Sequence, residues 1–286
     1  MLGSFLDILT FKAFKPDPLN FNVPLADRFV GSEVVGLAIG ERSLRATVAS
    51  VGSSGKLVDF SESVVRGYVP ERLAHEVHSC LEEFGCEHVV LLFRSGSEVT
   101  RSGITYRGTY EEQRLALEEE PGKVLGYEPE QDEGNLIVTS PEFDISLLFT
   151  YQNLWLKEII ETVESVGVSV CRSQFSMATV VDYLLKYKYD EAFNKKALMI
   201  VDSESVLCMH LEGGNWMGLA YRKAVTNPKI IGELLQRVGA TSGEVVYINL
   251  DESGFPEPLS QIFPNLEPTR LIPDEAPADF FAALHG

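Results

Sequence analysis

The chain has 286 residues, 45% of them apolar, enough for one large domain or two modest lobes around a sizeable core. Acidic residues outnumber basic ones 42 to 24, giving a formal net charge of −18 that no basic run interrupts. Such a field repels phosphate backbones, so nucleic acid is not expected as a partner, whereas Lys/Arg-rich peptides are favoured. The four cysteines, Cys80, Cys86, Cys171 and Cys208, form no CxxC pair and fit a reducing cytoplasm. No apolar run reaches the roughly 18 residues of a membrane span, and no secretory signal is evident.

The first fourteen residues carry a helical apolar pattern at Leu2, Phe5, Leu6, Ile8, Leu9, Phe11 and Phe14. With Lys12 as its only cation and Lys15 just beyond it, this helix is expected to fold onto the body rather than to anchor in a membrane. Pro16, Pro18 and Pro24 then make an extended arm, and residues 1–30 are set apart on that basis. Val34 and Val35 enter a Gly-x-x-x-Gly turn at Gly36 and Gly40. A strand over 44–51 leaves it, with Leu44, Ala46 and Val48 on one face and polar Arg45 and Thr47 on the other. A third strand is predicted over 56–65, then a helix from Pro70 closed by Gly85, then a buried strand over 88–93. His75 and His78 are three apart on that helix but lack a third ligand of readable spacing, so no metal site is expected.

From about 94 to 150 glycines and acids interrupt the pattern, with a short helix at 110–120 and a hairpin over 135–149. This reads as an inserted subdomain. The core pattern resumes with an amphipathic helix at 151–167, a strand at 168–172 and a helix near 177–187. Lys195-Lys196 marks a boundary between a first lobe, 31–195, and a second, 196–286. The second lobe is predicted to hold strands at 197–202, 206–213 and 215–225, a helix at 228–238, a strand at 245–250 and a helix at 278–286.

A hairpin, third strand, helix and further strand thus occur twice, starting at Val34 and Leu198. This duplication resembles the actin/hexokinase/Hsp70 superfamily, which implies a two-lobed actin-like ATPase (ribonuclease H-like) α/β fold with nucleotide between the lobes. Within it the chain resembles the PilM-like proteins of type IV pilus assembly and the cytoplasmic domain of the GspL-like proteins of type II secretion. The resemblance rests on the order of several motifs over about 250 residues. These are the insertion after Phe93, the turn Val166-Gly167-Val168, the helix bearing Met177-Ala178, and the closing Phe281-Ala282-Ala283-Leu284-His285-Gly286.

In that superfamily the first turn reads Gly-Ile-Asp-Ile-Gly, and backbone N–H groups approach phosphate there. Here Gly36 and Gly40 remain, Ala38 stands at the acid, and Glu41-Arg42 fill the turn. In the second turn Asp202 is kept, but Ser203-Glu204-Ser205 replaces the glycine pattern, and the adenine turn becomes Asp251-Glu252-Ser253-Gly254. A like charge about 4 Å from phosphate costs roughly 4 kcal/mol at an effective dielectric near 20. Gly36, Gly40 and Asp202 are therefore read as remnants of a nucleotide cleft, with no catalytic residue, no metal ligand and no ATP or Mg²⁺ cofactor. Asp202 is expected to cap its own turn. The second lobe is reduced, with room for one helix between the strands at 215–225 and 245–250.

The resemblance implies a pseudo-ATPase scaffold at the inner-membrane face, binding the cytoplasmic tail of a bitopic inner-membrane assembly protein. The tail is expected between elements near 69–93 and the insert at 94–150, and any peripheral membrane association would come through that partner. Two alternatives are an ATPase or sugar-kinase-like enzyme using Asp202 with Glu41 or Glu204, and a self-assembling structural protein. Trp155 and Trp216 are read as core or inter-lobe packing, and no Gly-x-Ser-x-Gly hydrolase motif is present.

Overall fold

Strand β1 (Glu33–Ile39) carries Val34, Val35, Leu37 and Ile39 with no polar face, so both of its sides must be covered. The structure, a computed structural model, describes residues 25–40, 43–53, 58–67, 69–85, 88–94, 99–102, 106–107, 110–125, 127–128, 133–140, 143–193, 196–202, 205–212, 215–223, 228–239, 245–250, 271–272 and 277–285. The short helix α1 (Leu25–Arg28) precedes β1. β1 pairs antiparallel with β2 (Ser43–Val51), and β2 with β3 (Val58–Gly67). Pro70–Arg72 opens a 3₁₀ turn into α2 (Leu73–Phe84), whose apolar stripe buries Leu73, Val77, Cys80 and Leu81. Gly85 ends α2 at φ 64° with its N–H on the Leu81 carbonyl, the left-handed cap that glycine adopts without a Cβ penalty. β4 (His88–Phe93) then lies parallel to β1.

The insert comprises β5 (Val99–Ser102), β6 (Tyr106–Arg107), α3 (Tyr110–Glu119), α4 (Pro121–Leu125), β7 (Glu133–Ser140) and β8 (Phe143–Gln152). β8 is its central strand, flanked by β7 on one edge and by β5 and β6 in succession on the other. The chain returns through α5 (Asn153–Ser165) to β9 (Ser169–Phe175), parallel to β4, and completes a five-stranded sheet ordered β3-β2-β1-β4-β9. α6 (Ser176–Tyr187) and α7 (Tyr189–Phe193) lead to the second sheet.

That sheet holds β10 (Ala197–Val201), β11 (Ser205–Glu212), β12 (Asn215–Lys223) and, after α8 (Pro228–Arg237), β13 (Val245–Asn249). Its order, β12-β11-β10-β13, repeats the first four positions of the first sheet with the same parallel and antiparallel senses. One face of β10 (Ala197, Met199, Val201) packs on Ile231, Leu234, Leu235 and Val238. Leu198 and Ile200, on the other face, join a core continuous with Val35, Leu37 and Ile39 of the first sheet. The insert touches both lobes, through β7 on α6 and through β5 and β8 on β12.

Three boundaries move. Ala26 and Phe29, placed in the arm expected at 1–30, are buried in the first lobe, and residues 1–24 lie outside the described residues. Tyr151 and Gln152 belong to β8 rather than to the helix after it, because they continue the pairing with β7. The last helix, α9 (Ala278–His285), packs on α6, α1 and β4, so the chain that leaves the second lobe ends on the first. Apolar residues surround α9, which fits a helix covered on most sides.

Candidate functional site

The two hairpins are superimposable in their hydrogen bonding. Ile39 faces Leu44 and Val201 faces Val206 across turns of equal length. The Gly40 N–H donates to the Ser43 carbonyl at 2.8 Å, and the Asp202 N–H donates to the Ser205 carbonyl at 3.0 Å. The strands alongside repeat the match, since the Arg94 N–H donates to Ile39 and the Leu250 N–H to Val201, both at 2.8 Å. Register thus makes Gly40 the counterpart of Asp202, and Arg94 that of Leu250. Ala38, which stands at the acid of the family turn, lies buried in β1 two residues before Gly40, on the same face of the strand.

Gly36 does not lie in the turn. It sits mid-strand, opposite Thr47 and Val90, and a Cβ placed there would come within 2.5 Å of the Phe280 ring. Its lack of a side chain makes room for α9. Val34, Ala38, Val90, Leu92 and Cys171 continue this face under Phe280, Ala283 and Leu284. The polar face expected for β2 is covered as well: Thr47 is buried and Arg45 half-buried.

Asp202 is buried, and its Oδ1 accepts from the Ser205 N–H at 2.6 Å and from the Ser205 hydroxyl at 2.9 Å. The carboxylate so closes its own turn, as an Asx-type cap does. Glu41, Arg42, Ser203, Glu204 and the acidic stretch 251–254 lie outside the described residues.

Between the hairpins the chain supplies a charged centre that sequence reasoning missed. Arg45 Nη1 and Arg94 Nη2 each donate to the Leu250 carbonyl at 2.9 Å, so two guanidinium groups of the first lobe hold one oxygen of the second. Arg94 Nε also lies 3.1 Å from Asp279 Oδ2, and that carboxylate is fully buried in the first turn of α9. Arg172, lowered to about 10 by burial and by the nearby Arg28 charge, donates to the Ala283 carbonyl at 2.8 Å and holds the other end of α9. The available signal was a single cation directly after the apolar run 88–93.

The remaining candidates are scattered. Cys80, Cys171 and Cys208 are buried, and burial raises all three thiols, Cys171 to about 11 and Cys208 to about 12. His78 pairs with Glu82 at 3.0 Å on the exposed face of α2, and His75 is exposed on the same helix. The side chains of Trp155 and Trp216 and the residue Cys86 lie outside what is described. Among the described residues no helix is long and apolar enough to cross a membrane.

Two sheets of one topology, an insert in the first lobe and a final helix crossing back define a two-lobed actin-like fold. Solved structures share it. A Bacteroides thetaiotaomicron protein with an actin-like ATPase fold and unknown function matches 89% of this chain and 96% of its own, with TM-score 0.52 and 8% identity. The cytoplasmic domain of EpsL, an inner-membrane component of the type II secretion system of Vibrio cholerae, matches 76% of this chain and 82% of its own, with TM-score 0.50 and 12% identity. A chain of the PilM–PilN type IV pilus biogenesis complex matches over 74% and 67%, with TM-score 0.50 and 13% identity. At these identities the likeness is one of fold. No family model and no curated protein matches the sequence.

Proposed function

We propose that the chain is a non-catalytic actin-like scaffold of a type IV pilus or type II secretion-like envelope machine, which binds the cytoplasmic tail of an inner-membrane partner. The observation that supports the non-catalytic part is the structural use of two cleft-motif residues: Asp202 Oδ1 closes its own turn, and Gly36 accommodates Phe280 on the face of β1 under α9. The fold likeness to EpsL and to the PilM–PilN complex supports the choice of machine. The charge of −18 suits a tail followed by basic juxtamembrane residues. On this reading the protein works in the cytoplasm, at the inner-membrane face.

The tail is assigned to the surface between α2 and the insert. Large apolar residues exposed among the described ones include Val69, just before α2, and Leu115, on α3 of the insert. The test is fluorescence anisotropy of labelled peptides copying the cytoplasmic tails of bitopic proteins encoded beside this chain. Saturable binding weakened at least tenfold by Val69→Glu or Leu115→Glu supports the proposal. Failure of every tail to bind the purified protein sinks it.

A further inference from the structure

The pseudo-symmetry of the two lobes puts Arg94 and Leu250 in equivalent positions, each at the end of the strand parallel to the first strand of its hairpin. They also touch each other, through Arg94 Nη2 and the Leu250 carbonyl at 2.9 Å. The contact therefore joins equivalent positions of the two lobes, each next to the end of the first strand of its hairpin. Arg45, from the strand after the first turn, converges on the same oxygen. A carbonyl has two lone pairs, and here both are engaged by charged donors. Asp279 forms an ion pair with the Arg94 guanidinium at 3.1 Å, and α9, which carries Asp279, is held on the first sheet by Phe280 over Gly36 and by Arg172 on Ala283.

We propose that this Arg45–Leu250–Arg94–Asp279 cluster is a built-in clasp that holds the two lobes closed without any nucleotide between them. The chain's own groups bridge the lobes. Separating them strips two charge-assisted donors from the Leu250 carbonyl, so the closed form is favoured by residues on both sides of the cleft. The clasp follows from the geometry of the centre alone and holds whichever partner the outer surface takes.

The test is the distance between spin labels on the full chain, one on each lobe, with and without millimolar ATP and Mg²⁺. Exposed Glu158 on α5 and Gln236 on α8 are changed to cysteine for labelling, and Cys86 to serine. The buried thiols of Cys80, Cys171 and Cys208 are poor nucleophiles and stay unlabelled. The expected result is one narrow distance that nucleotide does not change. Arg45→Met, and separately the pair Arg94→Met with Asp279→Leu, which removes both buried charges together, should each broaden that distance and shift it longer. Two distances in the parent protein that nucleotide collapses to one would overturn the clasp, and that arm requires neither clasp variant to fold. Retention of the parent distance in both variants would overturn it as well.

Discussion

The two hairpins of this protein share a register and differ in what occupies the turn. In the first lobe the strand leading to the turn is apolar on both faces, a glycine opens the turn, and Gly36 lies under the ring of Phe280. In the second an aspartate opens the turn and spends its Oδ1 on Ser205 two bonds deep. One hairpin seats the last helix, while the other carries an acid that is part of its own turn. An actin-like frame can thus retain the pairing of both hairpins while their side chains take structural work, because the pairing depends on backbone and register rather than on the residues that would meet a ligand.

Each half of this comparison can be broken separately. The largest effect is expected at Arg94→Met, which leaves the fully buried Asp279 without its cation and should cost about 3–5 kcal/mol in urea unfolding. Adding Asp279→Leu should recover much of that loss, since no buried charge is then left alone. Phe280→Ala should cost a similar amount, about 3–5 kcal/mol, by opening a cavity over the first sheet. Gly36→Ala should cost about 1–3 kcal/mol by overpacking, and the penalty should shrink when Phe280 is shortened to Leu. A double-mutant cycle on stability reads that coupling directly.

In the second hairpin, Asp202→Ala should lose about 1–3 kcal/mol as the Ser205 N–H is left without its acceptor, and Asp202→Asn should lose less. Thermal unfolding of the three proteins separates these outcomes. The smallest effect concerns pH. Burial holds His285 below its usual value of 6.5, with Asp27 pulling the other way. Below about pH 6.5 the unfolded chain binds a proton that the folded chain resists, so this contribution is fully present above that pH and declines as pH falls toward the folded value. His285→Gln should flatten the decline, as followed by unfolding midpoints across mildly acidic buffers.

Local signals made much of the fold legible. The apolar run at 88–93 announced a strand buried on both faces, Pro70 and Gly85 bracketed α2, and the repeat of hairpin, strand, helix and strand announced the two sheets. The turn role of Asp202 was legible too, since an aspartate followed by serines is a local cap. What could not be read depends on residues far apart in the chain. Arg45 and Arg94 meet Leu250 over separations of 205 and 156 residues, and nothing beside either arginine names that carbonyl. Gly36 looked like a phosphate-approach glycine because its true neighbour, Phe280, comes from the other end of the sequence. The return of α9 to the first lobe was equally hidden, because a short helix apolar on most sides does not say which sheet will cover it.

The most direct test of the account is calorimetric titration of ATP, with and without Mg²⁺, into the purified chain and into Asp202→Ala. The account predicts no saturable heat at millimolar nucleotide in either protein. Micromolar binding to the parent chain that Asp202→Ala abolishes would contradict it, because it would mean that the second turn still serves a ligand rather than itself.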